Sequence, residues 1–443
     1  MSKICMIGTG YVGLVSGACL ADFGNTVWCV DIDEGRIKTL RSGGIPIYEP
    51  ILKDIVTRNT SAGRLFFTTD LGDAVKNSEV IFIAVGTPPL PDGSSDLSHV
   101  FDASRELAGF LNDYKVVVQK STVPVGTTRQ VADVIRKHAP EGADFDMVSN
   151  PEFLREGSAI EDFLRPNRVI IGVESERAEE VMKRVYRPLY LLETPVVVTT
   201  LEAAELIKYA SNAYLATKIS FINEIATICE LCQANIDDVA KGMGLDGRIG
   251  SKFLHAGIGY GGSCLPKDIT ALIHIAREKG YDPRIIRAAH EVNAGQIEIA
   301  FDKLKAEVGS LEGRTIGILG LSFKPNTDDL REAPALKVLQ LLLDAKAQVK
   351  VFDPVAMDNL RENSGLNVEY CKNPYETAEN AHALVLITEW NELRELDLER
   401  LKRLMLEPVF IDCRNVYKKD RMVQQGFRYN SFGRGVDPKE PVK

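Results

Sequence analysis

Gly8, Gly10 and Gly13 directly follow an apolar run at residues 3–7 and precede a stretch with helical spacing, so this part reads as strand, tight turn and helix. No other feature restricts the fold as strongly, because such a unit closes only by laying the helix over a sheet and adding a second, parallel strand. The first glycine permits the turn, the second lets backbone N–H groups reach a pyrophosphate, and the third lets helix and strand pack closely. The helix N-terminus adds its dipole to phosphate binding. A second apolar run, TVWCVD at 26–31, ends on Asp31, 18 residues beyond Gly13. A carboxylate there accepts hydrogen bonds from ribose hydroxyls and repels a 2′-phosphate, so the cofactor is expected to be NAD rather than NADP. Gly8, Gly10, Tyr11, Val12, Gly13 and Asp31 are the expected contacts, with Arg36 as a nearby cation that works against the exclusion.

The runs VIFIAVG (80–86) and KVVVQKS (115–121) continue the alternation of strand and helix and indicate a parallel α/β sheet. Thr87 and Thr122 stand just past the ends of these runs, at the rim where the nicotinamide half is expected. Residues 201–234 are helical in pattern and contain neither proline nor glycine, which makes a rod roughly 50 Å long. A rod of that kind joins domains or forms an oligomer interface. Helical patterns at 266–279 and 283–308 follow, and then TIGILGLSF (315–323), QVKVFDP (348–354), ALVLITEW (383–390) and VFIDCRN (409–415) read as strands of a second α/β domain. The expected fold class is α/β: two doubly wound Rossmann-like domains, 1–198 and 309–443, joined by a long central helix and a small helical domain at 199–308. Ligands are expected at the carboxyl ends of the strands. The tail after Gly433 reads as loop or disorder.

A length of 443 residues suits two to three domains, and a net charge of −9 argues against a general nucleic-acid binder. No run is long and apolar enough for a membrane span, and residues 1–7 lack signal-peptide features, so a cytoplasmic location is expected. Most of the eight cysteines lie in strand or helix patterns, which points to reduced thiols. Cys229 and Cys232 form a CxxC late in the long helix, but no second pair or histidine cluster accompanies them, so no metal site is expected.

Cys264 is different, because it sits in GYGGSCLPKD (259–268). Glycines let the backbone approach a substrate, Pro266 suits the first turn of a helix, and a helix N-terminus beside Lys267 favours thiolate over thiol. On loop chemistry alone, however, a buried apolar cysteine is the commoner occurrence.

Four more segments carry polar residues that an apolar core would not select: STVPVGTT (121–128), NPEFLREG (150–157), ELIKYASN (205–212) and FKPNTDDLREAP (323–334). With the glycine turn and the cysteine loop, and in this order, they resemble the UDP-glucose/GDP-mannose dehydrogenase family. GYGGSCLPKD and AELIKYASNAYLATKISFINE are most similar to the branch that acts on UDP-glucose, with GDP-mannose and N-acetylhexosamine nucleotides as same-family alternatives. The resemblance implies an NAD-dependent, twofold oxidation of a sugar C6 alcohol to a carboxylate, UDP-glucuronate, a precursor for polysaccharide synthesis. In that chemistry Cys264 holds the aldehyde as a thiohemiacetal and then as a thioester. An aldehyde is not itself a hydride donor, whereas its tetrahedral adduct is.

The resemblance also implies residue roles. Lys208 and Asn212 face the reacting oxygen, and Thr122, Lys208 and Asp268 form a lysine and water network. Glu156 activates the hydrolytic water and lies near the cofactor, with Glu152 nearer the substrate. The backbone of Phe153, Leu154 and Arg155 runs along the sugar nucleotide, which Tyr260 and Gly261 approach from the cysteine loop. Lys324 meets the substrate diphosphate, while Arg331 and Lys267 serve the cofactor side. Arg248, Phe253 and Gly257 clasp the nucleotide, Arg248 from across a subunit boundary, which implies a homodimer built on the long helix. The second α/β domain has Gly317 and Gly320 but no complete glycine fingerprint, so a UDP-sugar rather than a second NAD is expected there. Two readings of other classes compete: a two-electron hydroxyacid dehydrogenase in which Cys264 is incidental, and a catalytically silent NAD-binding protein.

Overall fold

Strands buried at every position need cover on both faces, and Val80–Ile83, Lys115–Gln119 and Val169–Gly172 are of this kind. The computed structural model describes residues 1–434. The chain divides into two units, Met1–Ser211 with Thr270–Tyr281, and Asn212–Ile269 with the chain from Asp282 onward.

The first unit contains β1 (Lys3–Ile7), β2 (Thr26–Val30), β3 (Leu65–Thr68), β4 (Val80–Ile83), β5 (Lys115–Gln119), β6 (Phe145–Ser149), β7 (Val169–Gly172) and β8 (Val196–Thr199). They form one sheet in the order β3-β2-β1-β4-β5-β6-β7-β8. The order reverses between β1 and β4, the switch point at which a doubly wound sheet opens a crevice. Successive residues of β1 serve opposite layers: Ile4 and Met6 pack with Val27, Cys29 and Phe82, while Cys5 and Ile7 pack with Ile81, Ile83 and Val117. The expected uniform parallelism fails at one place. β6 and β7 meet antiparallel through Ser149 and Gly172, because residues 150–168 return the chain to the end of the sheet from which β6 leaves. The NPEFLREG segment thereby lies at the carboxyl end of β6, the same end as the glycine turn after β1.

The helix Leu201–Leu231 is 31 residues long, about 46 Å. It starts in the first unit and ends in the second. The patterns read at 266–279 and 283–308 are the helices Leu265–Glu278 and Arg284–Val308. The helices of 199–308 are shared between the two units.

The second unit holds β9 (Thr315–Leu319), β10 (Gln348–Phe352), β11 (Glu369–Tyr370), β12 (Ala383–Leu386), β13 (Val409–Asp412) and β14 (Arg428–Ser431), in the order β11-β10-β9-β12-β13-β14. Every pairing is parallel. The tail read as loop or disorder lies, from residue 435, outside the described residues. Among the described residues no helix is long and apolar enough to cross a membrane. The eight cysteines are free thiols, Cys232 exposed and Cys264 half-buried.

Candidate active site

In the first unit the helix Tyr11–Asp22 starts from Gly10 with no side-chain cap and no acidic residue in its first turn. Its leading N–H groups and dipole are therefore suited to an anion. A Cβ on Gly13 would overlap the Gly8 carbonyl, so packing alone demands glycine there. A Cβ on Gly10 would meet nothing within 4 Å, so packing within the chain does not demand glycine there. Asp31 closes the turn: Oδ2 accepts from Thr9 N and Oγ1, both at 2.7 Å, and Oδ1 accepts from Asp33 N at 3.0 Å. Burial pushes its pKa up, but these hydrogen bonds and the Arg36 guanidinium, 3.6 Å away, outweigh burial and leave it below the usual carboxylate range. The residues present fit a dinucleotide without a 2′-phosphate.

Thr87 Oγ1 donates to the Thr122 carbonyl at 3.0 Å, so the two rim threonines are brought together past β4 and β5. Lys208 Nζ lies 2.9 Å from Glu152 Oε1, and the two side chains are only 4% and 5% exposed. Glu152 Oε2 accepts from Leu154 N at 2.5 Å, and the Phe153 ring lies 5.3 Å from Lys208 Nζ and 3.6 Å from the Arg168 guanidinium. Arg155 is exposed and pairs with Asp162 at 2.6 Å, and Glu156 is half-buried.

In the second unit Cys264 directly precedes the helix Leu265–Glu278, and its carbonyl accepts from Asp268 N at 2.9 Å. The thiol sits 3.6 Å from Ser263 Oγ. Asp268, 1% exposed, accepts from Asn212 Nδ2 at 2.6 Å through Oδ2 and pairs with Lys267 Nζ at 2.8 Å through Oδ1. Gly262 has φ +85°, and a Cβ on it would come within 2.6 Å of the Phe323 ring; its N–H donates to the Arg331 carbonyl at 3.0 Å. The cysteine loop is thus seated on the segment that carries Lys324 and Arg331. Lys324 Nζ lies 5.3 Å from the Phe323 ring centroid, and Arg331 pairs with Asp329 at 2.7 Å. Gly257 N donates to Asn223 Oδ1 at 2.8 Å, and Tyr260 N to Asn293 Oδ1 at 2.9 Å. Gly261 is buried, Phe253 has φ +65°, and Arg248 is exposed and bonded to Asp246.

Asp353 at the end of β10 is the counterpart of Asp31, with a different fate. It is 1% exposed and accepts from Leu321 N, Ser322 N, Trp390 Nε1, Val355 N and Ala356 N. A carboxylate saturated in this way has nothing to offer a ribose, in keeping with a different ligand for the second sheet.

Four residues emerge only from the structure. Glu205 accepts from Gly126 N at 2.6 Å and from Thr128 N at 2.8 Å, capping the helix Thr127–His138 from the long helix. Lys120 is buried and bonds to Asn150 Oδ1 at 3.1 Å and Tyr186 OH at 3.4 Å. Burial pushes its pKa down to about 8, with the Lys208 charge adding to the shift and Glu152 opposing it. Arg414 donates to the carbonyls of Gly259 at 3.0 Å and Ile387 at 2.8 Å. Glu49 accepts from Tyr11 and from Gly157 N. In the sequence Glu205 heads the polar segment ELIKYASN and Lys120 follows the apolar run of KVVVQKS, but neither position marks its partner. Among the described residues no cluster suits a metal ion.

Residues 2–190 match the NAD binding domain of the UDP-glucose/GDP-mannose dehydrogenase family, 202–295 its central domain and 317–419 its UDP binding domain. The chain is 55% identical to a UDP-glucose 6-dehydrogenase of Rhizobium meliloti, across 98% of this chain and 99% of that protein. It is 48% identical to the UDP-glucose 6-dehydrogenase TuaD of Bacillus subtilis, across 99% and 96%. Among solved structures it resembles a UDP-glucose dehydrogenase from the archaeon Pyrobaculum islandicum, with TM-score 0.92 and 39% identity across 98% of both chains. It also resembles the UDP-N-acetyl-mannosamine dehydrogenase Cap5O from Staphylococcus aureus, with TM-score 0.80 and 27% identity across 98% of both chains.

Proposed function

Because the chain belongs to the UDP-glucose/GDP-mannose dehydrogenase family, we propose that it oxidises UDP-glucose twice at C6 and releases UDP-glucuronate. The observation that carries the substrate is 55% identity along nearly the whole chain to an enzyme named for UDP-glucose, against 27% to one named for an N-acetylated sugar. NAD, when bound, takes up the hydride in each oxidation. Its holders are the uncapped helix start after Gly10, Asp31 with its anchored carboxylate, and the Thr87–Thr122 rim.

The C6 aldehyde left by the first oxidation is captured by the Cys264 sulfur, whose C–S bond makes a tetrahedral carbon able to lose a second hydride. Lys208 and Asn212 supply positive charge and a donor for the oxygen that becomes negative in the addition. Asp268 fixes Asn212 and Lys267 around the start of the cysteine helix. Water then adds to the thioester carbonyl, its proton passes to Glu156, and the C–S bond breaks to release the Cys264 sulfur, which takes that proton back from Glu156 as the carboxylate product leaves. Glu152 holds Lys208, and the segment 153–155 orients the sugar nucleotide.

The three segments divide this work: 1–198 holds the cofactor, 199–308 forms the dimer, and 309–443 binds the UDP-sugar. Leu206, Tyr214, Phe221 and Ile228 recur every seven or eight residues along the long helix and are 44%, 63%, 46% and 47% exposed, a stripe suited to a second copy. A cytoplasmic homodimer is the form proposed. A panel of nucleotide sugars tests the reading: UDP-glucose should give two NADH and UDP-glucuronate. A preference for GDP-mannose or a UDP-N-acetylhexosamine would overturn the substrate, and one NADH with free aldehyde would overturn the chemistry.

A further inference from the structure

Glu49 lies in the loop between the helices Glu34–Arg41 and Leu52–Ser61, and is 7% exposed. Three donors from two distant segments converge on its carboxylate. Oε2 takes the Tyr11 hydroxyl and Gly157 N, the latter at 2.6 Å, and Oε1 takes Ala159 N at 2.8 Å. The Tyr11 oxygen in turn accepts from Gly157 N at 2.9 Å. Tyr11 is the first residue of the helix at the cofactor turn, and Gly157, at φ +76°, directly follows Glu156. The helix Ala159–Leu164 has no cap from its own Ser158, so Glu49 supplies one from over a hundred residues away. Two residues beyond Glu49, Ile51 is held at φ +69°, a conformation that a β-branched side chain keeps only where its surroundings impose it.

We propose that Glu49 is a positioning residue that ties the Glu156 loop to the start of the cofactor helix, so that hydrolysis of the Cys264 thioester depends on it more than hydride removal does. This rests on the function proposed above. The asymmetry follows from the anchoring. The cofactor turn keeps an independent tie, Thr9 to Asp31, whereas Gly157 N spends its hydrogen on Glu49 and Tyr11. Charge-assisted bonds of this kind are the strong ones, and a neutral amide at position 49 offers one acceptor oxygen and turns an NH2 against the remaining donors.

The test is rapid-mixing NADH formation by the full enzyme with Glu49→Gln, with intact mass of the quenched protein. Two NADH per active site should form in a burst near the parent rate. Steady-state turnover should then be at least about tenfold slower, within the range for a catalytic group displaced by about an ångström, with a sugar acyl group on Cys264. Glu49→Asp keeps the charge but shortens the reach; it should show the same pattern to a smaller degree, and it decides the matter if Glu49→Gln does not fold. Steady-state turnover within twofold of the parent, or burst and turnover falling in equal proportion, would overturn the role. Glu156→Gln separates this from the parent reading. If Glu156→Gln yields no acyl-enzyme, the hydrolytic role of Glu156 fails. If it yields one and Glu49→Gln does not, the role of Glu49 fails.

Discussion

The Lys208 ammonium and the Glu152 carboxylate stand 2.9 Å apart with almost no exposed surface, so each compensates the other's buried charge. Removing one partner of a buried pair typically costs about 3–5 kcal/mol, because the other stays charged and uncompensated. Glu152→Gln is therefore expected to lower the midpoint of denaturant unfolding markedly as well as to impair turnover. Lys208→Met combined with Glu152→Gln should destabilise by less than the sum of the two single changes while remaining inactive. Denaturation of the four proteins in parallel checks this, and strict additivity would count against the pair.

Lys120 gives a pH prediction. Its pKa falls from 10.5 to about 8 in the folded protein, so between about pH 8 and pH 10.5 the unfolded chain binds more protons than the folded one. The stability contribution of this residue therefore rises with pH across that window, on the order of 3 kcal/mol in all. Lys120→Met lacks this term. The difference in unfolding free energy, parent minus variant, should move in the parent's favour from pH 8 to pH 10, measured by thermal or urea unfolding of both.

Asp31 holds Thr9 and, in the function proposed above, also receives the ribose hydroxyls of NAD. Asp31→Ala should raise the KM for NAD by about tenfold or more, in line with the loss of charged hydrogen bonds worth about 1.5–3 kcal/mol. It should also narrow the preference over NADP. Initial rates with both cofactors are the check, and an unchanged preference would remove Asp31 from the specificity account.

Gly262 combines φ +85° with a 2.6 Å approach of any Cβ to Phe323. Gly262→Ala should displace the cysteine loop and reduce kcat at least about tenfold, while NAD binding, measured by fluorescence, stays close to the parent. Normal turnover would show that the loop tolerates movement.

The sheet and its cofactor turn were legible because β1, β4 and β5 are continuous apolar runs with glycine or threonine at their ends. β6 (FDMVS) is a mixed sequence, while β3, β7 and β8 (LFFT, VIIG, VVVT) are as apolar as β5 but take their places in the sheet from tertiary pairing; the antiparallel join of β6 to β7 depends on how residues 150–168 fold back, which no local spacing encodes. Within the site, Cys264 and Asp268 share one loop and helix turn and could be read together. The pairings of Lys208 with Glu152 and of Asn212 with Asp268 each span 56 residues. Glu49 and Glu205 looked like ordinary acids, because a carboxylate that caps a distant helix is marked only by its tertiary partners.

The central claim is that Cys264 carries the sugar between the two oxidations. Steady-state turnover of UDP-glucose by Cys264→Ala, with NAD binding verified as intact, tests it most directly. Loss of turnover by about a thousandfold or more, the scale for removing a covalent nucleophile, is the expected result. Turnover within tenfold of the parent would contradict the account and make the cysteine incidental.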